Sequence, residues 1–212
     1  LANIYLHYAL DVWFEEVVKP RMRGRAEMVR YADDFVLCFE RGDDARRVFE
    51  VLPKRMEAFG LSLHPEKTRL FSCARPPKYQ REGKGPGAFD FLGFTFFWKR
   101  SRGGKWFHAV QTRSSRMARA IQGIHDFCRR NRHLSVRDQH AGLFRRLQGH
   151  INYFGVNGNR NRISRIVNEA RRSWLKWLRR RSQRHRMNWK RFMDLLKRLP
   201  LPKARVVVQI WG

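Results

Sequence analysis

The feature that most constrains this 212-residue chain is a polar tetrad set between two apolar runs. Tyr31-Ala32-Asp33-Asp34 is preceded by Met28 and Val29 and followed by Phe35, Val36, Leu37, Cys38 and Phe39. Short runs that are apolar, β-branched and aromatic read as buried strands. Aspartate tolerates turn backbone and hydrogen-bonds its own main chain, so the tetrad reads as the tip of a hairpin whose arms lie in a core. The tip carries two adjacent carboxylates. At about 4 Å such a pair repels by roughly 4 kcal/mol at a surface-like dielectric. A hard divalent cation turns that repulsion into attraction, and Mg²⁺ takes one or two carboxylates together with substrate phosphates. A plain polar turn is the alternative that four residues alone leave open.

Charge distribution narrows the choice of partners. The net charge is +28, and it is uneven: residues 1–112 hold 20 basic and 14 acidic residues, residues 113–212 hold 26 and 4. With 42% hydrophobic residues, seven Trp and sixteen Phe, the basic half is not a disordered tail. A folded body with one strongly basic half implies a polyanion, nucleic acid first. No apolar run approaches the roughly 20 residues of a spanning helix, and no signal peptide is evident, so no membrane partner is expected. Cys38, Cys73 and Cys128 form no Cys-x-x-Cys pair, which fits a reducing, cytoplasmic setting.

Leu1, Ile4, Tyr5, Tyr8, Val12 and Trp13 recur with helical period, Asp11, Glu15 and Lys19 fall on the other side, and Pro20 stops the helix. Leu1 opens mid-pattern with no cap, so a piece of a longer protein is expected. After the hairpin, Asp43 is a candidate N-cap for a helix with Ala45, Val48, Phe49, Leu52, Met56 and Phe59 inward. Pro53 inside it predicts a kink or break, and Gly60 ends it. A short strand is expected near residues 69–72, a loop over 74–88, and a strand over Phe89–Phe97 in which Gly93 marks a bulge or a close backbone approach. A hairpin turns at Arg102-Gly103-Gly104. Beyond a boundary near 112 come helices over about 114–131, from Ser135, over about 160–181 and over 188–198, then a strand-like tail from Arg205. The fold class is α+β: a small antiparallel sheet with packed helices, followed by an all-α bundle.

The order of four motifs then carries a resemblance through nearly the whole chain. Tyr31-Ala32-Asp33-Asp34, Gly60-Leu61 before His64-Pro65-Glu66-Lys67-Thr68, Phe91-Leu92-Gly93-Phe94, and Leu147-Gln148-Gly149-His150-Ile151-Asn152-Tyr153-Phe154 follow in the sequence of a reverse transcriptase palm and thumb. The chain resembles the reverse transcriptases encoded by bacterial group II introns, where an aromatic often stands in the place of His150. The resemblance implies residues 1–112 as the C-terminal half of the palm, 113–182 as a helical thumb or maturase domain, and 183–212 as a basic nucleic-acid-binding extension. It implies RNA-directed DNA polymerisation with two Mg²⁺ ions, Asp33 and Asp34 as catalytic metal ligands, and Tyr31 and Ala32 beneath the primer terminus or incoming nucleotide. Lys67 would meet the leaving phosphate, and Leu92 and Gly93 would grip the primer backbone.

Arg165, Arg172, Lys176 and Arg179 share a helix face that Arg180, Arg181 and Arg184 extend, a surface for nucleic-acid phosphates. The implied partners are an RNA template, a DNA primer, deoxynucleoside triphosphates and the parent group II intron RNA. A complete palm also has a third carboxylate and fingers. Neither lies within these residues, so a further N-terminal portion is expected as a partner, in the same chain or a separate one. The alternative is a non-enzymatic RNA-binding maturase that aids splicing.

Overall fold

The computed structural model describes residues 1–77, 87–181 and 187–210. They form an α+β chain of small antiparallel sheets and helices, divided into two compact units. The first comprises Leu1–Leu92 with Trp98–Phe107, the second Gly93–Phe97 with His108–Gly212. No helix among the described residues is long and apolar enough to cross a membrane.

In the first unit, α1 (Ala2–Leu6) passes into π-helical turns at His7–Asp11 and Phe14–Val18 and closes in a 3₁₀ turn at Lys19–Arg21. Each π turn adds a residue and rotates the downstream side chains by about 100°. The buried stripe is therefore Leu10, Trp13, Phe14 and Val18, whereas Leu1, Ile4, Tyr5 and Tyr8, expected inward, are exposed. The hairpin comes next as β1 (Ala26–Tyr31) and β2 (Asp34–Phe39), with Tyr31 opposite Asp34 and Ala26 opposite Phe39. Its arms are not wholly in a core. Ala26, Met28, Phe35, Leu37 and Phe39 pack on the helices, while Val29 and Tyr31 on the other face are exposed.

Helix α2 (Gly42–Glu57) lies against β2 and the first π turn, burying Val48, Leu52 and Met56 but not Phe49. It runs through Pro53 without breaking; Pro53 sits on the exposed face, and Leu52 and Met56 on the buried stripe stay packed. Asp43 is not the N-cap. Arg41 holds that position, and Asp43 and Asp44 lie in the first turn. Asp44 is fully buried, accepting from the Arg23 and Gly24 amides at 2.9 and 3.0 Å and from Arg47 at 2.6 Å. It thus pins the loop that enters the hairpin. Gly60 ends the helix at φ +64, with Leu61 N donating to Met56 O across a left-handed cap.

Residues 69–72 join no sheet. The run Phe89–Phe97 is not one strand but two, β3 (Phe89–Phe91) and β4 (Phe94–Arg100), turning at Leu92-Gly93. Both turn residues have positive φ, +50° and +80°, the signature of a two-residue type I′ hairpin. The expected bulge at Gly93 is thus a turn. Strand β5 (Trp106–Thr112) completes the order β3-β4-β5.

The second unit is built on α3 (Ser114–Arg130), α4 (Val136–Phe154), α5 (Arg160–Arg179) and α6 (Trp189–Arg198). Met117, Ile124, Leu143, Leu147, Ile151, Ile163, Val167, Ala170 and Trp174 interlock as its core. Ser135 caps α4 by accepting from Asp138 N, and Asn188 caps α6 by accepting from Arg191 N. Gln139 is buried yet satisfied: it donates to Leu134 O at 2.9 Å and accepts from Trp174 Nε1 at 3.1 Å. Among the described residues the tail contributes one parallel bridge, Val156 to Val208, rather than a strand.

Candidate functional site

The site in the first unit is the two-residue turn Ala32-Asp33 between β1 and β2, with Asp34 the first residue of β2. Ala32 has φ +55, so the first turn residue takes the left-handed sign and Asp33 does not. That conformation favours glycine, and an L-residue there stores roughly 1 kcal/mol or more. Asp33, Asp34 and Tyr31 are all exposed at this tip. Strand alternation places Tyr31 and its partner Asp34 on the open face, while Arg30 faces the packed side.

Arg30 is bound from three directions. Its Nε and Nη2 donate to Asp11 Oδ1 and Oδ2, both at 2.6 Å, a bidentate fork. Its Nη1 donates to Ala32 O at 2.9 Å and to Asn3 Oδ1 at 3.3 Å. The side chains of Arg30 and Asp11 are only 14% and 22% exposed. The hydrogen bonds from Arg30, aided by His7 at 3.3 Å and opposed by burial, hold the Asp11 carboxyl below its usual range. Asp11 is therefore not on a solvated helix face with Glu15, as the strict period implied. It lies in the first π turn, and that turn brings it to the hairpin. Nearby, Arg55 donates to the carbonyls of Ala9 and Tyr8 at 3.0 and 3.2 Å, bracing the same widened turn. Sequence reasoning missed Arg30 and Arg55. Only an arginine immediately before the tetrad and π-helical geometry would have signalled them.

The remaining candidates in this unit stand at turns. Lys67 is on an exposed turn whose amides at Lys67 and Thr68 bond His64 O. Leu92 occupies the first, left-handed position of the β3–β4 turn. Residues 1–96 match the family model described as Reverse transcriptase (RNA-dependent DNA polymerase). The matched stretch contains the whole turn site and Arg30, and it is less than half of the chain. No curated protein matches the chain.

The second unit holds the last residues of the reverse-transcriptase-like stretch, Gly93–Phe96. A Cβ on Gly93 would lie 3.4 Å from Phe154 Cζ and 3.7 Å from Arg116 Cγ, and Gly93 O accepts from Arg113 N at 2.9 Å. A Cβ would thus sit in ordinary contact with Phe154, and it is the positive φ of +80° that favours glycine here. Phe94 stacks on Tyr153 at 6.0 Å and meets Phe154 edge-on at 5.0 Å.

Beyond the matched residues the surface is basic. Arg165, Arg172, Lys176, Arg179, Arg180 and Arg181 are all exposed. Arg172 is tied to Glu169 at 3.1 Å, and Arg179 donates to Met187 O at 2.9 Å. Arg184 lies outside the described residues. Three cations share one indole: Arg180, Arg132 and Lys176 stand 5.3, 5.8 and 5.8 Å from the ring centroid of Trp177. The His125 ring joins them at 5.5 Å, with its Nε2 3.5 Å from Lys176 Nζ. Arg132 and His125 were not legible as part of this surface, since they come from other segments. Trp174, on the inward stripe of α5, is fully buried core.

Proposed function

We propose that the chain works in an RNA-directed DNA polymerase of the group II intron kind, adding deoxynucleotides to a DNA primer on an RNA template. The single observation that carries this reading is the exposed Asp33-Asp34 pair at a left-handed hairpin tip, inside the stretch similar to reverse transcriptases. The donor set suits a hard cation. Two adjacent carboxylates offer oxygen ligands alone, and among the described residues no cluster of three or more His, Cys, Asp or Glu competes as a metal site. Asp33 and Asp34 would hold the Mg²⁺, leaving the other positions to water and substrate phosphates. When bound, two such ions stabilise charge on the attacking and leaving oxygens of phosphoryl transfer.

The chain's own residues do the rest. Tyr31, with Ala32, forms the floor beneath the primer terminus or incoming nucleotide. The Lys67 ammonium, exposed on its turn, meets the leaving phosphate. The Leu92-Gly93 turn bears on the primer backbone. In this reading residues 1–112 are palm, 113–182 thumb, and 183–212 a basic extension. A second role, binding the parent intron RNA as a maturase, is supported by the many exposed cations of the second unit.

Primer extension on an RNA template by the full natural protein, beside Asp33→Ala, tests the proposal. Extension should fall by about two orders of magnitude or more in the variant, as for lost metal-site groups. Equal extension by both proteins would overturn the reading. RNA binding with no extension by the wild type would favour the non-enzymatic maturase.

A further inference from the structure

We propose that Arg30, anchored by Asp11, is a positioning residue that sets the peptide leading into Asp33 and thereby the aim of the carboxylate pair. The inference rests on the polymerase reading and adds a component that the tetrad itself does not contain. Arg30 distributes its donors so that one guanidinium serves two elements. The Nε and Nη2 edge is consumed by Asp11 in the π turn, and Nη1 remains for Ala32 O at the hairpin tip. The bonded carbonyl belongs to the Ala32–Asp33 peptide, so its plane is fixed toward the packed face. Asp33 is then the next residue along an immobilised peptide. Ala32, at φ +55, needs such an external hold, because its own conformational preference favours leaving the left-handed region. The anchor is itself braced: His7 Nδ1 lies 3.3 Å from Asp11 Oδ2, and Asn3 Oδ1 accepts from Arg30 at 3.3 Å. The pair is largely shielded from solvent, so little competing water reaches the fork.

Geometry makes the arginine hard to replace. Lysine keeps the charge but has no planar fork, so it cannot hold both carboxylate oxygens and the turn carbonyl at once. A role in holding the turn differs from a role in holding the fold, and the difference is measurable. The full natural protein is assayed by primer extension as a function of Mg²⁺ concentration, with Arg30→Lys, Asp11→Asn and Asp33→Ala alongside. For Arg30→Lys and Asp11→Asn, the Mg²⁺ needed for half-maximal extension should rise about tenfold or more, as for lost outer partners of metal ligands. kcat should fall, while the Kd for primer–template stays within about twofold, since phosphate contacts carry that affinity. An unchanged Mg²⁺ requirement in both variants, with Asp33→Ala inactive, would overturn this inference and leave the polymerase reading intact. Wild-type extension by Asp33→Ala would sink the polymerase reading itself. Far-UV circular dichroism is recorded first. Loss of the wild-type spectrum in both clamp variants counts against the proposal, because the pair would then maintain the fold and not the turn.

Discussion

His150 carries a buried ring nitrogen, Nε2, with no hydrogen-bond partner, packed 4.7 Å from the Phe154 ring. Burial disfavours the imidazolium and lowers the pKa from 6.5 to about 4. The sign is set by which state takes the proton first. Above pH 6.5 both states are neutral and the stability is level; between 6.5 and 4 the unfolded chain binds the proton while the folded chain does not. Unfolding of the second unit should therefore become easier as the pH falls through that window, by up to about 3 kcal/mol at 1.36 kcal/mol per unit. His150→Phe should remove most of this pH dependence and raise the urea midpoint at pH 5. Urea titrations at pH 7 and pH 5 decide it; an unchanged pH dependence in the variant would show that His150 is not the titrating group. Asp11 acts at the opposite end of the scale. Its lowered pKa adds stability to the first unit above its ordinary value of 3.8, and that stability is lost as the pH falls toward the folded-state value. Arg30→Lys should shrink this acid-limb contribution.

Where elements meet, single buried amides do much of the joining. Asn159 is 1% exposed; it accepts from Thr112 N at 2.9 Å and donates to Thr112 Oγ1 and Phe154 O, both at 2.8 Å. It ties the end of β5 to the end of α4 and the start of α5. Asn159→Ala takes the partner from the buried Thr112 amide and hydroxyl, while Phe154 O keeps Val156 N, and should cost about 2–3 kcal/mol, measured by chemical denaturation. A loss under roughly 0.5 kcal/mol would mean that relaxation or water replaces the network. Gly142 acts by absence: a Cβ there would lie 2.4 Å from Phe127 Cζ, so Gly142→Ala should destabilise the α3–α4 packing by about 1–3 kcal/mol.

Much of this layout was legible in the chain. Apolar period gave α3 to α6, Ser135 and Asp138 marked a helix start, and the tetrad marked a hairpin tip. The β3–β4 turn was hidden because leucine at positive φ leaves no signal, and the run Phe89–Phe97 reads as continuous. The π turns were hidden too, since a strict 3.6 period put Leu1, Ile4, Tyr5 and Tyr8 inward and Asp11 outward. Arg30, the clamp on the candidate site, depends on a partner nineteen positions away, and no local pattern announces it.

For the whole molecule the governing quantity is charge. With +28 overall and 26 basic against 4 acidic residues beyond position 112, nucleic-acid binding should be dominated by counterion release. If six phosphates are contacted, log affinity should fall with log salt at a slope of about −5 on duplex, somewhat less on single strands. Replacing Lys176 and Arg180 with Gln should make the slope shallower by about 1 for each phosphate no longer neutralised, with no change in sequence preference. A slope near zero in the wild type would remove nucleic acid as the partner.

The central claim is that Asp33 and Asp34 hold a divalent cation for phosphoryl transfer. It is tested most directly by electron paramagnetic resonance titration of Mn²⁺ into the full natural protein bound to primer–template and a deoxynucleoside triphosphate. The wild type should take up Mn²⁺ beyond what the nucleotide and primer–template bind by themselves, and that excess should be lost in Asp33→Asn combined with Asp34→Asn. Indistinguishable titrations of the two proteins would contradict the claim.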